Sequence, residues 1–92
     1  MSSEVIGNSY IMRKNGVKMV TLEQIQKRIA ETIRNSGMTQ TELAKQLGVK
    51  QPTIGQYLSG RAMPALDTLA NLCKILDADA NYILCQDTEE SR

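Results

Sequence analysis

The stretch from Thr39 to Gly60, TQTELAKQLGVKQPTIGQYLSG, constrains this chain more than any other, because it spells two short helices joined by a tight turn. Gln40 to Leu47 contains no Gly or Pro, and Leu43, Ala44 and Leu47 recur at helical spacing on one face. Thr39 precedes this run as an N-cap, with Glu42 three residues on to complete a capping box. Met38 and Leu43 flank the box as a hydrophobic staple. Gly48 then ends the helix, since glycine enters the left-handed region without a Cβ penalty. Val49 plugs the turn from behind. A second helix opens near Gln51, with Pro52 in the first turn, where an N–H has no intrahelical partner to lose. Ile54, Tyr57 and Leu58 form its inward face, and Ser59-Gly60 stops it. Ala44 is small where two helices crossing steeply need a small residue.

The flanking sequence reads as scaffold for this pair. Thr21 caps a first helix with Gln24 at the third position, Val20 and Ile25 as its staple, and Leu22, Ile25, Ile29, Ala30 and Ile33 as its buried stripe. Asn35-Ser36-Gly37 ends it, and Lys27, Arg28 and Arg34 lie on its solvated face. Beyond Gly60 the loop RAMPA leads to a fourth helix, Leu66 to Leu76. Its apolar face is wide: Leu66, Leu69, Ala70, Cys73 and Leu76, with Leu72 and Ile75 beside them. Asp79 caps a last short helix, Ala80 to about Cys85. The expected fold is all-α, a compact five-helix domain over residues 21–86. Residues 1–20 form an N-terminal extension and residues 87–92 an acidic, frayed tail. Met1 to Asn8 has no periodicity and reads as disordered. In SYIMRKNGVKMV, Asn15-Gly16 between apolar-rich flanks is a hairpin signal, pairing Met12 with Met19 and Ile11 with Val20 in a type I′ register. Such a hairpin needs something to pack on. A solvated, structurally neutral segment is the first reading, with a phosphate-seeking arm carrying Arg13, Lys14 and Lys18 or a dimer contact behind it.

The spacing Gln40, Ala44, Gly48, Val49 and Ile54 resembles the phage repressor and Cro type of helix-turn-helix, the bacterial and phage group called XRE-like. The resemblance continues through Gly60-Arg61, Pro64, LDTLANLCKILDA and Tyr82-Ile83-Leu84, and so runs from about Leu22 to Cys85. It implies a repressor-like fold with the helix-turn-helix as helices two and three, double-stranded DNA as partner, and a homodimer on a two-fold operator. Three positions depart from the family pattern. Lys50 stands where a Ser or Thr normally caps the recognition helix, and Pro52 and Gly55 replace polar residues on its DNA-facing side.

A recognition helix fits the major groove, where each base pair shows a distinct donor and acceptor pattern. Gln51 and Gln56 lie opposite Ile54 and Leu58, and a glutamine amide pairs bidentately with adenine N6 and N7. Thr53 suits a thymine methyl, Lys50 a guanine edge or a phosphate, and Pro52 completes the candidate base-contact set. The resemblance implies phosphate contacts from Gln40 at the start of the preceding helix and from Ser59 and Arg61 on the far side, with Lys50 as a further candidate.

Charge distribution agrees. The net charge of +1 says little, but Met12 to Met63 holds nine Lys or Arg against three Asp or Glu, a net +6. Pro64 to Arg92 holds two against six, a net −4. A basic front and an acidic back suit a surface that faces DNA. An enzyme is not expected, because the chain has no His, no paired-carboxylate motif, no phosphate loop and no metal cluster; no cofactor is expected either. Single-strand and RNA binding usually need aromatic platforms, and three Tyr without Phe or Trp supply few. The longest apolar run is Tyr82 to Cys85, so no membrane span is expected, and no signal peptide is evident. Cys73 sits on an apolar stripe as a buried thiol, which suits a reduced, cytoplasmic protein. Transcriptional regulation follows, with repression implied by the resemblance. The rival reading is an antitoxin-type or other protein-interaction module that keeps the fold for a protein partner. Retention of Gln51, Gln56 and Arg61 together argues against a surface given over to protein contacts alone.

Overall fold

In a computed structural model, described for residues 19–87, five helices follow one another: α1 (Leu22–Asn35), α2 (Gln40–Leu47), α3 (Gln51–Ser59), α4 (Leu66–Leu76) and α5 (Ala80–Ile83). Both expected capping boxes form. The Thr21 hydroxyl accepts from the Gln24 N–H at 3.2 Å while the Thr21 N–H donates to Gln24 Oε1 at 3.0 Å. The Thr39 hydroxyl accepts from the Glu42 N–H at 3.1 Å, and the Thr39 N–H donates to Glu42 Oε1 at 3.2 Å. Each box satisfies two backbone donors that a helix start otherwise leaves open. Lys50 is the N-cap of α3 and makes no side-chain cap, so this helix starts with a weaker stop than α1 or α2.

The tight turn is built as the sequence requires. Gly48 takes φ 80°, and its N–H and that of Val49 both donate to the Ala44 carbonyl, at 2.9 and 3.0 Å. This is a left-handed termination that a Cβ would strain. Ala44 and Leu43 are buried at the α2 side of the motif, and Val49 and Leu47 pack against the same core.

The core takes one fully enclosed side chain from each helix: Ile29, Leu43, Ile54, Leu72 and Ile83. Each contributes about 1.5–3 kcal/mol by leaving water. α3 packs on α1 and α2, α2 on α4, and α1 on α5, so α3 is held from two sides while its third side stays open. Tyr57 belongs to this core, and burial pushes its phenol above the ordinary tyrosine range. Cys73 and Cys85 are free and buried, and burial together with the charge of Asp79 raises the Cys73 thiol.

Several expectations need correction. Leu22 and Leu66, assigned to buried stripes, are 69% and 84% exposed, and Ala70 is exposed as well. Each leucine is the first residue of its helix, and the buried residues of α1 and α4 start only later, at Ile29 and Leu69. α5 stops at Ile83 rather than near Cys85, because Cys85 turns into the left-handed region at φ 61° and the Gln86 N–H closes on the Asn81 carbonyl at 2.7 Å. Arg28 is not simply solvated. Its Nη1 donates to the Tyr82 carbonyl at 2.7 Å and to Asp87 Oδ1 at 2.6 Å, and its guanidinium lies 4.3 Å from the centre of the Tyr82 ring. The Tyr82 hydroxyl donates in turn to Glu31 Oε1 at 2.6 Å. This cluster fastens the C-terminal end to α1, so Asp87 is tied down rather than frayed. Met19 and Val20 are exposed and in no strand; the rest of the Asn15-Gly16 hairpin, the disorder expected of Met1 to Asn8, the basic arm and the remainder of the tail lie outside the described residues.

Candidate nucleic-acid interface

α3 has two unlike sides. Ile54 and Tyr57 are buried and Leu58 packs on the core, whereas Pro52, Gln56 and Ser59 are exposed on the opposite arc and Gln51, two turns before Leu58, is exposed at the edge of that arc, with Gly55 and Thr53 partly exposed between. At 3.6 residues per turn, Gln51, Pro52, Gly55, Gln56 and Ser59 share one stripe along the outer face. The shortage of bulk at Gly55 matters here. The Gln40 Oε1 atom lies 3.7 Å from the position a Gly55 Cβ would occupy. The first residue of α2 therefore reaches across to the outer face of α3, and Gln40 and the α3 stripe form one surface. Lys50 at one end of α3 and Arg61 just past the other are both exposed. Thr53, by contrast, sits at the edge of this stripe and is half-buried.

The C-terminal end of α3 is unusually well satisfied. Its last carbonyls have no partners within the helix and must find them elsewhere. Gly60 takes φ 86°, and the N–H groups of Gly60, Arg61 and Ala62 converge on the Gln56 carbonyl at 3.0, 3.0 and 3.3 Å. The Ser59 hydroxyl also donates to Gln56 O at 3.3 Å and accepts from the Arg61 N–H at 3.4 Å, so its own hydrogen is spent on the helix end. The next two carbonyls are met from α1: the Gln26 side-chain amide donates to Tyr57 O at 3.2 Å and to Leu58 O at 3.4 Å. A Cβ on Gly60 would stand 3.1 Å from Gln26 Cδ and 3.3 Å from Nε2. Gly60 is thus needed twice, for the left-handed turn and for the space that Gln26 occupies.

Gln26 was not legible from the sequence, since it is a polar residue on α1 whose partners lie more than thirty positions away. Arg28 and its cluster were missed for the same reason. Neither involves a local motif.

Two α-helices meeting at a glycine turn, the second with a closed inner side and an open polar outer side, define the helix-turn-helix class of DNA-binding domain. A helix-turn-helix family model matches residues 29–83, more than half of the chain, and the chain belongs to that family, the Cro/C1-type or XRE-like group of DNA-binding transcription regulators. Comparison with curated proteins and with solved structures gave no match for this chain. No helix among the described residues is long and apolar enough to cross a membrane.

Proposed function

We propose that this protein is a sequence-specific repressor that places α3 in the major groove of duplex DNA and binds a two-fold operator as a homodimer. The observation that carries this reading is the outer surface on which Gln51, Gln56 and Gln40 are exposed, with Gln40 Oε1 3.7 Å from where a Gly55 Cβ would stand. Gln51 and Gln56 are the base readers, each able to bond bidentately to adenine. Thr53, Pro52 and Lys50 complete the base-facing set, with Thr53 limited to the groove edge by its partial burial. Gln40, at the positive end of α2, holds one phosphate through its amide and the helix terminus. Arg61, Ser59 and Lys50 hold phosphates at the ends of α3. Ser59 does so by rotating its hydroxyl away from Gln56 O, since a phosphate oxygen can only accept. Phosphate contacts fix the register and the amides supply the sequence preference. Occlusion of a promoter by the bound dimer is the simplest route from such an interface to regulation.

Selection from a random duplex library, followed by fluorescence anisotropy on the winning sequence across a salt series, tests this reading. A palindromic consensus whose half-sites lie about one helical turn apart, bound less tightly as salt rises, supports it. Enrichment of no sequence would count against it and favour an antitoxin-type interaction module.

A further inference from the structure

We propose that Gln26 is a positioning residue for base recognition: its amide, seated on the Tyr57 and Leu58 carbonyls through the space left by Gly60, fixes the angle at which α3 presents Gln51 and Gln56 to DNA. The inference rests on the reading of α3 as the base-reading helix.

A recognition helix must be held at both ends. The N-terminal end of α3 is fixed by the Gly48 turn and by Val49 packed against the core. Along its length α3 packs on α1 and α2 through Ile54 and Tyr57, and it spans just over two turns, so its C-terminal end depends on what is fastened there. Gln26 supplies the far anchor. It is a directional one, because a single amide nitrogen reaches two successive carbonyls, at 3.2 and 3.4 Å, and fits only while the Gly60 backbone lies alongside it.

The lever is long enough to matter. Gln51 and Gln56 are five residues apart, roughly 7.5 Å along the helix axis at about 1.5 Å per residue. A pivot of about 10° around the Gln51 end would carry Gln56 by roughly 1.3 Å. Bidentate hydrogen bonds, confined to about 2.7–3.2 Å, do not survive that displacement.

Gln26 lies in the N-terminal half of α1. The family match begins at residue 29, after Gln26. The Thr21–Gln24 capping box starts α1 two turns earlier than Ile29, and those two turns bring Gln26 level with the end of α3.

The test compares the wild type with Gln26→Met, which keeps the side-chain length and loses both donors. The quantity read is the ratio of Kd for a scrambled duplex to Kd for the duplex selected by the wild type, at fixed salt and well below each variant's melting temperature. Gln26→Met should lower this ratio about tenfold, through weaker specific binding and unchanged binding to the scrambled duplex. Gly60→Ala, which pushes the same amide away by another route, should lower it too and serves if Gln26→Met does not fold. Ile83→Val destabilises the core from α5, which packs on α1, and should leave the ratio at the wild-type value, separating positioning from stability. A folded Gln26→Met with the wild-type ratio, alongside a Gln56→Ala that loses discrimination, overturns the proposal and leaves the reading of α3 intact. A wild type that does not discriminate at all overturns both.

Discussion

Substituting alanine for three glycines of the helix-turn-helix should give three different results, each fixed by local geometry. Gly48 sits at φ 80° with nothing within 4 Å of a would-be Cβ, so Gly48→Ala meets only the backbone penalty. That penalty is about 1–2 kcal/mol for an L-residue in the left-handed region, and the lower entropy of the unfolded alanine chain offsets part of it, leaving a loss of about 1 kcal/mol. Gly60→Ala incurs the same loss at φ 86° and also drives its methyl against Gln26 at 3.1 Å. The Gln26 amide must then shift on the Tyr57 and Leu58 carbonyls, and losing both bonds, each contributing about 0.5–1.5 kcal/mol net, would bring the total to about 2–4 kcal/mol. Gly55 is helical, and its Cβ would meet only Gln40 Oε1 at an ordinary 3.7 Å. Gly55→Ala should therefore stabilise the domain by about 0.5–1 kcal/mol. In a domain of this size each kcal/mol moves the melting temperature by about 4–8 °C, so thermal unfolding followed by circular dichroism resolves all three. The decisive control is a double-mutant cycle: in a Gln26→Ala background, Gly60→Ala should cost no more than Gly48→Ala does. Equal costs for Gly60→Ala in both backgrounds would refute the argument that Gln26 and Gly60 share one space.

Other consequences follow from the same geometry. Arg61→Gln should weaken binding to all duplexes alike and lower the slope of log Kd against log salt by about one, as loss of a single phosphate contact requires. A sequence-dependent loss would instead assign Arg61 to a base. Arg28→Ala removes the bonds to Tyr82 O and Asp87 that join the C-terminal end to α1. Amide exchange should then speed up in the segment Tyr82–Asp87 well before it does in α2, and uniform exchange would show that the cluster carries no local stability. The phenols of Tyr57, raised by burial, and Tyr82, raised first by its bond to Glu31 and then by burial, resist ionisation in the fold. Their stabilising effect is complete below the ordinary tyrosine range and is lost as pH rises through the raised values, because the unfolded chain ionises first. Melting temperature should fall above about pH 10, and Tyr82→Phe should flatten that limb. A wild-type melting temperature that holds steady there would contradict the assignment.

What could be read from the sequence was what local chemistry decides. Thr21, Thr39, Gly48 and Gly60 punctuate the helices through capping boxes and left-handed stops, which depend on residues within four positions, and the starts of α1 and α2 and the ends of α2 and α3 followed from them. Periodicity placed Ile29, Ile33, Leu43, Ile54 and Leu69 inside. It also assigned Leu22 and Leu66 there, because a stripe shows which face of a helix is apolar and not how far the neighbouring helix extends along it. The clamps were illegible for a related reason. Gln26 with Tyr57 and Leu58, and Arg28 with Tyr82 and Asp87, join residues more than thirty apart in the chain, and nothing in the sequence near either residue marks the partner. At the interface, the outward stripe of α3 was legible as polar residues opposite Ile54. The approach of Gln40 to Gly55 was not, since it depends on how α2 crosses α3.

The most direct test of the central claim, that the outer face of α3 reads bases, is to determine position-by-position base preferences for the wild type, Gln51→Ala and Gln56→Ala by selection from one random duplex library. Each substitution should erase the preference at one position in each half-site, a loss of about 1–3 kcal/mol of discrimination there, and leave the other positions as they were. Identical preference profiles for all three proteins, with affinity lowered equally on every sequence or not at all, would contradict it.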